Sequence, residues 1–590
     1  MKRLKKILIT TATIFLIAII FSINSFAGSF FENFNEGNNQ IEQGNFKEAI
    51  EYFDRAIELD PSIPESYYNK GLALQNLQRY DEALEQYEKS LEYNANFLDA
   101  HINRTVIFFE NYSPKEALES AKKSIELDSK DLSANYLMGS ALAINERYDE
   151  AIEYYDVVIN MNPGEDILSD VYTDKASVLV EISKWEEAIT YSDKAIEVYP
   201  QNSIAYIIKS ISLANIGEFE EALVLCRKSI ELDSLNPVSY STKAFLLNGL
   251  GRNEEALEKI KKAEELNHFN NIEVTIEILI NKSAILVELE RFEEALEEID
   301  SIMEIDNSIY EAYANRCFVL SEIGRSEEAV KEGTNAIELN SDNPIGYLNR
   351  AKAFVDIGKY DRAIEDSNKT IQLAMDDEDG NKAIHMVMDD EDTISRAYVN
   401  MGNALSGKGE HDEAIQVYKK ALDNQVDVDL LSKINVNIGN AFLEKEDYDE
   451  AIKHADIAIE LKEKTHKAYI VKSGAFLGTY QGEDALEYAL KAIDTKPDSF
   501  LAYKSKGLAL ERLGDLEEAV IAFDKAIELD SHGEITDLVE YRKRNVEAKI
   551  ALRKVLTFFL VLVLISVVLI VIIIIRMRKR KKGSQNRMDF

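Results

Sequence analysis

Apolar and polar positions alternate along this chain with the period of a helix, and the pattern itself recurs at a longer step. Residues 499–531, SFLAYKSKGLALERLGDLEEAVIAFDKAIELDS, show it most clearly. Two amphipathic helices are predicted there. Tyr503, Gly507, Leu508 and Leu510 share a face of the first, and Ala519, Phe523, Ala526 and Ile527 share a face of the second. Leu513-Gly514-Asp515 supplies a helix stop and a turn between them. Small residues at Gly507, Ala519 and Ala526 let the backbones approach closely, while Tyr503, Leu510 and Phe523 fill what remains. One such pair cannot bury its apolar face alone, so copies must stack on one another.

Fourteen copies, at a step close to 34 residues, run from about residue 30 to 531. An alanine opens the second helix of each: Ala49, Ala83, Ala117, Ala151, Ala188, Ala222, Ala256, Ala295, Ala329, Ala363, Ala414, Ala451, Ala485 and Ala519. The residue before it is acidic in every copy but one, where Arg362 stands, and negative charge there suits a helix N-terminus. These units resemble the tetratricopeptide (TPR) repeat, whose pattern places an aromatic, Gly or Ala, Ala, an aromatic and Ala at fixed offsets, often closed by Pro. The resemblance covers most of the chain. It implies an all-α fold, a TPR helix-turn-helix solenoid wound as a right-handed superhelix, to which the sequence adds one C-terminal transmembrane helix. All eight prolines agree with the register. Pro61, Pro163, Pro200 and Pro497 close a unit, Pro64, Pro237 and Pro344 begin one, and Pro114 lies in a turn between paired helices. None interrupts a helix, where the cost would be about 3 kcal/mol.

The step lengthens near 163–168, 267–273, 375–392 and 424–430. The third insertion, MDDEDGNKAIHMVMDDED, divides repeats 1–10 (28–374) from repeats 11–14 (393–531). With Gly380 as the turn glycine, a calcium loop would begin at Met375 and end at Met386, which fails the EF-hand pattern. Residues 375–392 are therefore read as a solvated acidic loop.

The two ends read differently. MKRLKK, an apolar run and a small-residue site at Ser25-Phe26-Ala27 make residues 1–27 a secretory signal peptide cleaved before Gly28. An uncleaved anchor is the other reading, because the apolar stretch taken to Ala27 just spans a bilayer. After the last repeat, Ile535, Leu538, Val539, Val546 and Ile550 form a stripe on a capping and juxtamembrane helix over 534–554. An apolar run, 555–575, then gives a helix of about 31 Å against a hydrocarbon core of about 30 Å. The tail, 576–590, opens with RMRKRKK, a cluster that favours the cytoplasmic side. Either reading of the N-terminus then places the repeats outside the cytoplasm. No Pro or Gly lies between Gly533 and Gly583, so cap and span are expected to form one helix.

Charge sharpens the picture. The net charge is -39, and without residues 1–27 and the basic tail the body is more acidic still. Such a body repels nucleic acid and anionic headgroups, and its surface carboxylates keep a long solenoid soluble. Hydrophobic content of 46% suffices for a continuous core. Cys226 and Cys317 fall at core positions of repeats that are not neighbours and read as small core hydrophobes, not a bridge. No HExxH, CxxC, GxxxxGK[ST] or GxSxG arrangement occurs, so no catalytic residue, metal site or cofactor is assigned and the chain is not read as an enzyme. Trp185 is read as packing. The sequons Asn103-Arg104-Thr105 and Asn281-Lys282-Ser283 fall inside predicted helices.

One column points at function. Two residues before the Gly/Ala position of the first helix stand Asn35, Asn69, Asn103, Asn281, Asn315, Asn349, Asn400 and Asn437. In TPR proteins the first helices line the concave groove, so the resemblance implies an amide ladder able to pair with an extended peptide. It is similar to the asparagine-lined groove of the O-GlcNAc transferase TPR superhelix. The resemblance also implies a test for chaperone-tail binding, a clamp of Lys, Asn and Arg on three successive first helices. Asn403, Asn437 and Lys467 match it, but Val399 and Val471 stand where the other Lys and the Arg should be. The expectation is a membrane-anchored, extracytoplasmic scaffold of prokaryotic composition that binds protein or extended peptide ligands. A structural assembly factor or accessory subunit of a membrane complex is the alternative, and a cytosol-facing chaperone-type receptor the weaker one.

Overall fold

How near two helices come is set by the side chain between them, and the fourteen alanines of the second helices are all fully buried. The computed structural model describes residues 28–585 apart from 112, 268–270, 376–389, 425, 463–464 and 531–535. The signal peptide or anchor over 1–27, residues 376–389 of the acidic loop and 586–590 of the tail lie outside the described residues. So does the predicted divide between repeats 10 and 11.

Among the described residues the chain is a run of paired helices. It begins with 28–42 and Phe46–Leu59, continues with Pro64–Asn76 and Tyr80–Tyr93, and ends with Phe500–Leu513 and Leu516–Leu529. This is the all-α helix-turn-helix array that the spacing predicts. Pro64, Pro237 and Pro344 each occupy the first turn of a helix, where proline's fixed φ helps and its missing N–H is not needed. Pro114 does the same in Pro114–Leu127, at the start of the helix and not within the turn. Between paired helices one residue takes the left-handed conformation. Gly514 does so at φ 87°, while Gln78 at 58° and Glu446 at 61° do so with a side chain attached.

The residues fall into two compact units, one ending at Arg291 and one beginning at Phe292. Inside each, the core follows a simple exchange. A glycine on the first helix is matched, sixteen positions on, by a ring on the second. In the first unit Gly37 lies under Phe53, Gly71 under Tyr87 and Gly139 under Tyr155, with all three rings buried. A Cβ at Gly37 would stand 2.7 Å from the Phe53 ring, and one at Gly139 2.8 Å from Tyr155. In the second unit Gly402 lies under Tyr418 and Gly507 under Phe523. Where the first helix carries more, as at Thr105, Ala176, Ser210 and Ala351, the partner is Ala121, Ser192, Cys226 and Ser367, and no ring is present. Copy nine inverts the exchange: Cys317 is on the first helix, and a Cβ at Gly333 on the second would meet its Sγ at 3.0 Å. Copy twelve departs from it, since Gly439 meets Val471 of the next first helix. Both cysteines are free and buried, and burial pushes each thiol up to about 12.

The last repeat is covered by Thr536–Gln585, a single helix of 50 residues. Val539 and Val546 are buried against Leu510, Ala522 and Phe523, with Ile550 beside them. Lys543 pairs with Asp524 at 2.5 Å and Lys549 with Glu511 at 2.6 Å. Leu538, expected on the packed stripe, is instead exposed. It precedes Val539 by one position, about 100° around the helix, and so points away from the face that Val539 and Val546 share at an interval of seven. Ile535 lies outside the described residues. Beyond the cap the helix carries an exposed apolar surface long enough to cross a membrane.

Candidate functional site

Side chains three and four apart on a helix share a face, so each first helix presents its asparagine beside its neighbours' polar residues. In the first unit, Asn69 Nδ2 donates to Asn38 Oδ1 at 2.7 Å, Asn103 Nδ2 to the Tyr68 hydroxyl at 3.0 Å, and Asn281 Nδ2 to Ser241 Oγ at 2.9 Å. In the second unit, Asn349 Nδ2 donates to the Ala314 carbonyl at 2.9 Å, Asn400 Nδ2 to the Leu348 carbonyl at 3.1 Å, and Asn437 Nδ2 to Asn403 Oδ1 at 3.0 Å. Every one of these bonds reaches the first helix of the preceding copy. Six of the eight predicted residues thus stitch adjacent repeats through their amide N–H groups. Asn349 is buried, Asn69, Asn103, Asn281, Asn400 and Asn437 are half-buried, and Asn35 is exposed. Asn315 is half-buried, and neither it nor Asn35 has a hydrogen bond to a described residue.

The column continues where no asparagine marks it. Asp174 stands two residues before Ala176, and the Tyr136 hydroxyl donates to its Oδ2 at 2.7 Å across the repeat boundary. Burial pushes the Asp174 carboxyl up to about 6, opposed by that hydrogen bond and reinforced by the Asp170 charge. Asp170 itself is raised, by burial first and then by Asp166. Glu277, one turn before Asn281, accepts from Ser241 Oγ at 3.0 Å, and burial raises it as well. The spacing from Ala176 marks Asp174 as a member of the column, with a carboxylate in place of the amide.

The second unit presents cations on the corresponding face. Lys352 Nζ lies 3.1 Å from Glu322 and 3.0 Å from Ser321 Oγ. Arg396 Nε lies 2.6 Å from Asp392. Lys433 and Lys467 are exposed. Burial nevertheless lowers the Lys433 pKa, and the nearby charges of Arg396 and Lys467 lower it further. Asn403 Oδ1 accepts from both the Tyr418 hydroxyl, at 2.7 Å, and Asn437. Val399 and Val471, at the positions where a chaperone-tail clamp requires cations, are buried in the core. Among the described residues, no group of three or more His, Cys, Asp and Glu side chains could hold a metal ion.

Two family models, both described as tetratricopeptide repeat, match this chain. One covers residues 34–99, 107–166, 173–237 and 475–534, and the other covers 395–425 and 432–465. Together they span more than half of its length, and the chain belongs to the tetratricopeptide repeat family. It is 36% identical over 86 residues to the protein STIP1 homolog of Dictyostelium discoideum, a match covering 14% of this chain and 15% of that protein. It is 36% identical over 75 residues to the heat shock protein sti1 homolog of Schizosaccharomyces pombe, covering 13% of each. Both matches therefore span a small fraction of the relatives. Among solved structures, the APC/C hetero-tetramer Cut9-Hcn1 superposes with a TM-score of 0.53 at 15% identity, over 80% of this chain and 95% of that chain. At that identity the likeness concerns the fold alone.

Proposed function

We propose that this protein is a membrane-anchored scaffold that captures polypeptide segments along the polar faces of its first helices. The observation that carries the reading is the single helix Thr536–Gln585, which is docked on the last repeat at one end and carries the apolar run 555–575 further on. A repeat array built for contact area is thereby joined to an anchor without a break. Asn35, Asn315, Asn403 and the exposed Asn440 supply amide donors for a ligand backbone, while the remaining column residues hold the repeats in register. The six cations of RMRKRKK favour a cytoplasmic tail and an extracytoplasmic array.

Protease added to intact cells carrying a C-terminal tag tests the arrangement. Removal of the repeats with survival of a small tagged stub is the expected result. Protection that persists in spheroplasts would place the array in the cytosol and overturn the topology. Exchanging 555–575 for an unrelated span separates scaffold from assembly factor: partner capture should survive the exchange, and its loss would favour assembly through the membrane helix.

A further inference from the structure

Ahead of its apolar run, the helix Thr536–Gln585 has two apolar faces, and the last repeat uses one of them. Val539, Val546 and Ile550 pack on that repeat, and Lys543, on the same side, pairs with Asp524. At about 100° a residue, Leu538, Tyr541, Asn545, Ala548 and Leu552 lie roughly opposite. They follow one another at alternating steps of three and four, the spacing of a coiled-coil seam, and the next step of three reaches Val555, where the apolar run begins. Leu538, Tyr541, Ala548, Leu552 and Val555 are exposed. Asn545 is half-buried, and its amide bonds no described residue. The seam therefore passes from the cap into the span without a break.

Lipid cannot cover its N-terminal end. Leu538 stands 17 residues before Val555, about 26 Å along the axis. A tilt of about 40° still leaves it about 20 Å from the hydrocarbon, beyond a headgroup layer of about 5–8 Å. An unrelated polypeptide would need a helix matched to this spacing, whereas a second copy of the chain already has one. Identical spans enter a bilayer in one direction and to one depth, so two copies set their seams parallel and level. Asn545 then faces Asn545, and each amide both donates and accepts.

The flanking charges fit the same pairing. Asp537 and Arg542 border the seam on opposite sides, so Asp537 of one copy opposes Arg542 of the other. Arg544 and Lys549 would repel in that arrangement, but Glu540 holds the first at 2.7 Å and Glu511 the second at 2.6 Å. We infer that the protein is a parallel homodimer whose copies meet along Leu538, Tyr541, Asn545, Ala548 and Leu552. Each copy carries its own last repeat on the far side of its helix. The leucines and the tyrosine supply apolar contact, and the asparagine pair holds the register, as a polar residue within a seam does. The inference rests on the membrane-anchored reading and names what the anchor helix meets.

Single-cysteine substitutions in the full-length protein, oxidised mildly in native membranes and alkylated before denaturation, test the seam. Cys226 and Cys317 are buried, so the unsubstituted protein should remain monomeric on a non-reducing gel. Leu538→Cys, Asn545→Cys and Leu552→Cys should be trapped as dimers. Glu547→Cys and Lys554→Cys, exposed on other faces of the helix, should cross-link at least about fivefold less. Energy transfer between C-terminally labelled copies in vesicles gives the affinity, and the L538E/L552E variant should weaken it by about tenfold or more. Circular dichroism melts confirm that its repeats fold. No trapped dimer at the seam positions, equal trapping at all five positions, or unchanged affinity in L538E/L552E would each overturn the homodimer. Extraction with alkaline carbonate separates the two readings. Protein that stays in the membrane without seam cross-links leaves the anchor standing, and protein that is extracted overturns anchor and dimer together.

Discussion

The ring of Tyr87 occupies the space that a side chain at position 71 would need: a Cβ on Gly71 would stand 2.7 Å from its Cε1. The two residues are sixteen apart, on opposite helices of one repeat, and Tyr87 is fully buried. Gly71→Ala should therefore displace the ring and destabilise its repeat by about 1–3 kcal/mol. Faster hydrogen exchange across 64–93 is the expected readout. In a Tyr87→Ala background the same change should cost almost nothing, and that coupling identifies the ring as the cause.

Asn437 and Asn403 join two repeats through one bond of 3.0 Å. Asn437→Ala should loosen that boundary by about 0.5–1.5 kcal/mol, seen as faster exchange in 390–407 and 428–444. Asn315→Ala, which removes no hydrogen bond to a described residue, should leave exchange unchanged. If the column served ligands alone, the two variants would be equally silent.

The repeat was legible because backbone contact leaves few options. An alanine such as Ala83 or Ala519 cannot grow without parting two helices, so its register shows in the chain itself. The exchange between Gly71 and Tyr87 was written there too, but it reads as two unrelated positions until the helices are laid together. The asparagine column was visible as a column. That Asn349 reaches back to the Ala314 carbonyl depends on the offset between successive first helices, which no single repeat contains. Leu538 failed for a simpler reason: on a helix, one position is enough to leave the packed face.

Asp174 links the array to pH. Its folded pKa, about 6, lies above the ordinary 3.8. Between those values the folded chain therefore holds more proton than the unfolded one. Stability is greatest below the unfolded value and falls as pH rises through the folded one. The repeats around Tyr136 and Asp174 should gain about 1–3 kcal/mol on going from pH 7 to pH 4. Asp174→Asn keeps an acceptor for the Tyr136 hydroxyl and should flatten the dependence. Opening free energies from hydrogen exchange of 132–181, corrected for intrinsic rates, would measure it.

Gln78 holds a left-handed conformation at φ 58°. Removing its side chain relieves a penalty of about 1–2 kcal/mol, part of which is returned as the greater freedom of glycine in the unfolded chain. Gln78→Gly should raise the stability of its repeat by several tenths of a kcal/mol or more. Gly514→Ala, at φ 87°, should act in the opposite direction. Local exchange in 64–93 and 500–529 distinguishes the two.

The unbroken helix from Thr536 to Gln585 makes bearing a matter of residue count. Val546 faces the last repeat, and the apolar run begins nine residues later at Val555. Each residue inserted between them would swing the docked repeat by about 100° around the helix axis and lift it by about 1.5 Å. Two insertions would aim it nearly backwards, while four would return it close to its starting direction one turn higher. The stretch from Glu547 to Lys554 is thus a compass and a ruler together, fixing which way the last repeat faces about the helix axis and how far it stands from the apolar run.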